Sequence, residues 1–383
     1  VPAAIVALLL ASCVAAPAAT DSTDSRGAPT PTVALKSGDA SVSATTGSTP
    51  SGTLTKPAPI QPPTAADPLD STATNTGLQP VMQEYPVPEG THPHDVAPAR
   101  DGGVWYTAQG SGHLGWLNPD TGETRQIALG PGSAPHGVIV GPDGAPWITD
   151  GGLNSIVRVD PATDEVRRFP LPDSSPNANL NTATFDGQGR LWFTGQSGVY
   201  GRLDPATGQV EVFPAPGGRG PYGIATTPNG RVFYTSLAGS HIAEIDTTSG
   251  EATRIDPPTA GQGARRVWSD SQGNLWVSEW NAGQMGRYDP GTGAWQEWRL
   301  PGEHPQAYAV YVDDRDQVWL SDFGSNALVR FDPDSETFTA FPLPSAPANV
   351  RQLLGRPGEV WGAESGVDKL VVVRQPVPLP PAP

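Results

Sequence analysis

Two of the six histidines in this 383-residue chain follow a proline, at Pro93-His94 and Pro135-His136. Imidazole titrates near neutrality, so a histidine pair brought together in space is a candidate for proton transfer or metal binding. Each of the two lies eleven residues before a tryptophan, Trp105 and Trp147. The same offset from five further aromatic anchors gives Asn181, Tyr222, Arg265, Tyr308 and Val350, with Asn349 or Arg351 replacing the last after a small shift. Three residues after the anchors stand Ala108, Asp150, Gly195, Ser236, Glu279, Asp322 and Glu364. If both sets meet at one mouth, two His, an Arg, two Tyr and four carboxylates share it. That suits acid–base chemistry in which a divalent cation, magnesium or calcium, polarises a carbonyl or carboxylate. His94, His136 and Asp150 are the candidate catalytic trio. Asn181, Tyr222, Arg265, Glu279, Tyr308, Asp322 and Glu364 are candidate substrate-binding residues. Such residues could also simply hold water, and carboxylates after a strand often cap turns. His92, His113, His241 and His304 fall in loops or turns and are expected to face solvent.

The elements that would gather these residues are read from a repeat. A Gly-x-aromatic-Trp pattern places anchors at Trp105, Trp147, Trp192, Phe233, Trp276, Trp319 and Trp361, spaced by 42, 45, 41, 43, 43 and 42 residues. Each anchor sits in a short apolar strand such as LWFTG (191–195), after a turn such as GPDG (141–144). A second strand and turn follow, as in GRLDPATG (201–208), and then a strand ending near Pro, as in VEVFPAP (210–216). A further strand, such as HGVIV (136–140), precedes the anchor. Four short strands per period and no helical stretch predict an all-β fold, a seven-bladed β-propeller with four antiparallel strands per blade. EYPVP (84–88) has no blade before it, so this N-terminal strand is expected to complete the last blade and close the ring. The anchor aromatics are expected to pack between sheets. The DPxTG turns are expected to be turns, not calcium loops.

Composition agrees. Gly and Pro together make 89 of 383 residues, which works against a helical bundle. The net charge of −16 argues against nucleic acid and against an anionic bilayer surface as partner. Residues 1–13 read as a lipoprotein signal, an apolar run ending in Leu10-Ala11-Ser12-Cys13 with the lone Cys13 as the lipidated residue. No Met or basic stretch precedes it, so a clipped or mis-started sequence is expected. Residues 14–80, rich in Ala, Thr, Ser and Pro, read as a disordered tether. The propeller spans 81–376 and a Pro-rich tail 377–383. The expected product is an exported propeller, lipid-anchored on the outer face of a bacterial membrane and touching the membrane only through that lipid.

The units PHGVIVGPDGAPWIT (135–149), PYGIATTPNGRVFYT (221–235) and GRLDPATG…VFPAP (201–216) resemble the streptogramin B lyase (virginiamycin B lyase) family, over about residues 82–376. The resemblance implies a seven-bladed propeller closed by its N-terminal strand. It implies linearisation of a cyclic depsipeptide by elimination at an ester, with magnesium. It also implies a catalytic histidine pair from the Pro-His motifs of the last two blades and a Glu after the last Trp strand. Here the first motif maps to Pro305-Gln306, with Gln306 or Tyr308 at the inner-strand position, and the second to Ala348–Val350. Neither holds a His. Glu364 follows Trp361 by three residues, where the family pattern has four.

Three functions follow as alternatives. One is a metal-assisted lyase acting on an ester or a uronate-containing substrate, with His94 and His136 as a site rotated around the ring. Another is a non-catalytic binding or scaffold propeller at the cell surface. The last is a hydrolase or lactonase with calcium in the channel, for which Asn181 and Asn349 are the available amides. In each case the partner is a small molecule, peptide or polysaccharide at the channel mouth, and the closed ring acts as a monomer.

Overall fold

The computed structural model describes residues 79–376. The export signal, Cys13, the tether up to residue 78 and the tail 377–383 lie outside the described residues. Within them, 28 strands form seven four-stranded antiparallel sheets, the propeller expected from the repeat. The inner strands of blades one to seven are Pro93–Pro98, Pro135–Val140, Leu180–Phe185, Pro221–Thr226, Ala264–Ser269, Ala307–Val312 and Val350–Arg356. The first strand, Val81–Pro86, pairs antiparallel with the last, Lys369–Arg374, from Val81 opposite Arg374 to Pro86 opposite Lys369. It supplies the outer strand of blade seven and closes the ring without a covalent link. Lys369 Nζ donates to Glu84 Oε2 at 2.6 Å, and Ser345 N donates to Glu84 Oε1 at 2.8 Å.

Why these segments make blades follows from three residues that recur in most of them. First, the anchor aromatics are buried between sheets, Trp105, Trp192, Trp276, Trp319 and Trp361 almost completely. At ~25 cal/mol per Å², burying a side chain of that size contributes roughly 5 kcal/mol before entropy is counted. Second, an acid in the preceding turn accepts the indole N–H: Asp186 from Trp192 at 2.8 Å, Asp270 from Trp276 at 3.0 Å and Asp313 from Trp319 at 2.8 Å. Third, a hydroxyl two residues after the anchor joins neighbouring blades. Thr107 Oγ1 accepts from Asp95 N at 2.9 Å and donates to the His136 carbonyl of the next blade at 2.8 Å. Thr149, Thr194, Thr235, Ser278 and Ser321 do the same from blades two to six. Blade seven has Ala363 at this position, and there Gln352 Oε1 accepts from Val96 N of blade one at 2.9 Å instead.

The DPxTG turns are turns. Their Asp oxygens are consumed by amides of their own loop, as in Asp204 Oδ1 with Ala206 N at 2.8 Å and Asp246 Oδ1 with Thr248 N at 2.8 Å.

Candidate active site at the channel mouth

The hydroxyl that joins the blades also shapes the channel. In blades one to six it bonds the amide of the third residue of the inner strand, and in all seven blades the register to the second strand slips there, between Pro93 and Val96 in blade one and at the matching place in the others. A bulge breaks the strict alternation of a strand. The second and third residues therefore both reach the axis.

The second residues form the ring inferred from spacing: His94, His136, Asn181, Tyr222, Arg265 and Tyr308. Blade seven differs. Val350 pairs with Glu364 just as Pro93 pairs with Ala108, so Val350 heads its strand and Arg351 takes the ring position. The cause is an inner hairpin one residue shorter than in the other blades, with Arg351 ten residues before Trp361.

His94 and His136 meet with ring centroids 3.7 Å apart. His94 Nδ1 donates to Asp95 Oδ1 at 2.8 Å, which fixes the tautomer and leaves the lone pair on Nε2. His136 Nδ1 donates to the Asn181 carbonyl at 3.1 Å, and its Nε2 accepts from Asn181 Nδ2 at 3.2 Å. Burial, then the Arg351, Arg266 and Arg265 guanidiniums, holds the His94 pKa well below the usual imidazole range. Burial, then the neighbouring His94, does the same for His136. Both rings are therefore neutral at neutral pH.

Across the ring, Tyr222 Oη and Tyr308 Oη are 2.7 Å apart. Arg265 donates to Tyr222 Oη at 2.9 Å and lies 3.5 Å from the centre of the Tyr308 ring. Arg351 donates to Tyr308 Oη at 3.3 Å and to Ser365 Oγ at 2.7 Å. The two phenols are driven apart. Burial pushes Tyr222 up to about 12. Burial acts on Tyr308 too, but Arg265, Arg351 and Arg266 outweigh it and hold its hydroxyl below the usual value. Tyr308 is thus the more acidic member of the pair.

Below the ring, Arg266 of blade five spans the channel to Asp95 of blade one, with contacts of 2.8 Å to Oδ1 and 3.3 Å to Oδ2. It also donates to Thr182 Oγ1 at 2.7 Å. The pair is 5% and 1% exposed. Burial lifts the Asp95 pKa and Arg266 pulls it down; a forked guanidinium with the His94 N–H on the same oxygen is the geometry of a carboxylate. The third position in blades two, four and six is Gly137, Gly223 and Ala309, which leaves room for the arginine to cross. Beneath this bridge the channel is apolar, lined by Val138, Ile224, Val267, Val310 and Leu353.

The second predicted ring does not assemble. Asp150 faces its own loop, accepting from Ser133 Oγ at 2.5 Å, Ala134 N at 3.0 Å and Leu153 N at 2.9 Å. Asp322 does likewise with Gln306 N at 2.7 Å and Gly324 N at 3.0 Å. Both pair with the first residue of an inner strand, not the second, so their oxygens reach turn amides. Glu279 points outward in its own sheet and takes one bond, from Gln284 Nε2 at 2.6 Å. Glu364 is buried with neither oxygen hydrogen-bonded. Burial pushes each of these two up to about 8. The acid beside the histidines is Asp95, which the spacing argument missed; the Pro-His-Asp run was its signal in the sequence. Arg266, in Arg265-Arg266, was missed for the same reason. His241 is buried, not solvent-facing, with Nδ1 bonded to the Gly239 carbonyl at 3.0 Å.

Among the described residues one cluster could hold a divalent cation: His94, Asp95 and His136, with ligand atoms within 4.8 Å of one another. Magnesium and calcium require mainly oxygen ligands. Here the single carboxylate is already paired with Arg266, and three guanidiniums oppose any cation. The residues present suit an imidazole-binding ion better and do not fit magnesium or calcium.

The two blades from which the resemblance draws its histidines present Tyr308 and Arg351. Comparison with known proteins bears on how far that departure reaches. No curated protein matches. Among solved structures, virginiamycin B lyase from Staphylococcus aureus superposes with a TM-score of 0.71 at 21% identity, covering 77% of this chain and 99% of that one. A catalytically inactive histidine-to-alanine variant of that enzyme, solved with quinupristin, gives the same four values. The extracellular domain of a hybrid two-component system from B. thetaiotaomicron superposes with a TM-score of 0.62 at 16% identity, covering 78% of this chain and 43% of that one. These likenesses concern the fold. The family model described as virginiamycin B lyase matches residues 80–373, which takes in every blade and the closing strand, and the chain therefore belongs to the virginiamycin B lyase family.

Proposed function

We propose that the channel mouth is an elimination site for a substrate carrying a carboxylate or ester, of the ester or uronate class. One observation carries the reading: a neutral His94, oriented by Asp95, shares a ring with a Tyr308 hydroxyl made more acidic by Arg265 and Arg351. His94 Nε2 removes the proton α to the carbonyl. The C–H electron pair becomes the C=C bond and the β-carbon–oxygen bond breaks. An alkoxide leaving group takes its proton from Tyr308, while a carboxylate leaving group needs none. Arg265 and Arg351 face the charge that develops on the substrate's carbonyl oxygen. His136 packs on His94 and is held by Asn181, which makes it a positioning residue. No step uses a metal.

The test is a substrate screen followed by ultraviolet absorbance, since elimination creates a conjugated double bond and hydrolysis does not. On a substrate so found, His94→Ala is expected to lower turnover by about 10²–10⁴, the usual contribution of a general base. Because the His94 pKa is lowered, the base stays deprotonated as pH falls through 6.5, and the acid limb of the rate profile lies below the usual imidazole range. A chelator is expected to leave the rate unchanged. Full activity of His94→Ala would remove the base from this scheme, and loss of activity in chelator would restore the cation.

A non-catalytic binding propeller is favoured by one feature, the commitment of both His136 nitrogens to Asn181. Saturable binding without new absorbance for any ligand in the screen is the outcome that selects it. The lipobox reading supports an exported, monomeric propeller tethered at Cys13, with a small molecule, peptide or polysaccharide at its mouth. Palmitate labelling that disappears in Cys13→Ala is the expected result, and unlabelled wild-type protein the one that overturns the tether.

A further inference from the structure

We infer that the groove between blades five and six holds the remainder of the substrate, and that this substrate is an oligosaccharide carrying a uronate, not an apolar macrocycle. The inference rests on the elimination reading for where the reacting carboxylate sits.

The groove is open, about 610 Å³, and is lined chiefly by Trp280, Asn281, Arg299, Glu303, His304 and Gln306. It lies on the mouth face. Trp280 directly follows Glu279 at the end of the second strand of blade five, and Gln306 directly precedes the inner strand of blade six. Trp280 joins groove to ring. Its indole lies 4.8 Å from the Arg265 guanidinium and packs edge-on against Tyr308 at 5.6 Å and Phe323 at 5.4 Å. A molecule with its carboxylate among Arg265, Arg351 and Tyr308 that extended past Trp280 would enter this polar trough.

The lining selects the occupant. A pyranose has an apolar C–H face and hydroxyls around its edge. An indole offers the first a surface, and amide, guanidinium and carboxylate side chains offer the second donors and acceptors. Arg299 spends one N–H on the Glu303 carbonyl at 2.9 Å, and a guanidinium has five. It lines the groove, where a further carboxylate of an acidic chain would find a cation to pair with. An apolar macrocycle would instead set its side chains against these polar groups and leave them unsatisfied, at a cost in affinity.

The experiment is a calorimetric titration of the full chain with a galacturonate hexamer, the same hexamer with its carboxylates reduced, a galacturonate dimer and a cyclic depsipeptide. The acidic hexamer is expected to bind at least tenfold tighter than the reduced one. Trp280→Ala and Arg299→Gln should each weaken the hexamer about tenfold and the dimer less than twofold. Arg299 is exposed, so its variant guards against a fold defect in the first. Tighter binding of the depsipeptide, or equal affinities in wild type and both variants, overturns the inference. The two readings separate cleanly. Groove-dependent hexamer binding without new absorbance would reject the elimination and keep the groove, and absorbance from a depsipeptide that ignores both substitutions would do the reverse.

Discussion

Replacing Asp95 with Ala is expected to cost about 3–5 kcal/mol of unfolding free energy, the usual penalty for stranding one member of a buried ion pair. Arg266 would stay buried in the middle of the channel with Thr182 Oγ1 as its remaining hydrogen-bond partner among those described. The same substitution takes the acceptor from His94 Nδ1, so the ring can rotate and its tautomer is no longer chosen. Stability and chemistry would then fall together, and a single variant could not tell them apart. The double variant Asp95→Leu with Arg266→Met can. It removes both charges and fills the channel with apolar volume, which typically restores or exceeds the stability of the ion pair. Chemical denaturation is expected to show most of the lost stability regained, while turnover stays down by about 10² or more, within the range for a disabled general base. An active double variant would mean that Asp95 does not position His94. An Asp95→Ala protein as stable as wild type would mean that the bridge across the channel is not a structural tie.

The repeat made the architecture legible because a propeller is written in local chemistry. Most blades carry a turn acid, a buried anchor and an outer strand ending near Pro, and these recur at nearly constant spacing. Closure by the N-terminal strand followed from the unpaired EYPVP segment. The mouth ring was legible for the same reason, since six of its residues lie eleven before an anchor. In blade seven the spacing left Val350, Asn349 and Arg351 open, and the shorter hairpin selects Arg351, a cation beside Tyr308.

The acid was not legible, because strand alternation says that the residue after a channel-facing one must face away. Asp95 and Arg266 break that rule at the bulge, where their amides bond a hydroxyl twelve residues later in sequence. The pattern Trp-x-Thr or Trp-x-Ser carried this information, but its meaning depends on a carbonyl in the next blade. Asp150 looked like the partner of His136 because the two strands are adjacent. Register placed it opposite Pro135, one residue away, and that single step sends its carboxylate into the loop.

Glu364 gives the second large effect. Its carboxyl is buried in blade seven, neither oxygen is hydrogen-bonded, and burial, then Glu84, pushes it up to about 8 while Lys369 pulls the other way. A carboxyl with a raised pKa binds its proton more tightly in the folded state. Its contribution is fully present below the unfolded value near 4.5 and is lost as pH rises through about 8. Glu279 acts in the same direction. His94 and His136, with lowered values, act in the opposite one and favour the fold as pH climbs toward 6.5, so the wild-type curve alone mixes the two. The difference between wild type and Glu364→Gln isolates the carboxyl, because the amide is neutral throughout. That difference is expected to be small at pH 5 and to grow to about 2–5 kcal/mol in favour of the variant by pH 9. Ionised Glu364 would also compete with Glu84 for Lys369, so amide exchange in Val81–Pro86 should quicken with pH in wild type and less in the variant. A difference that does not change between pH 5 and pH 9 would show that Glu364 finds a partner for its charge, and that closure of the ring is indifferent to it.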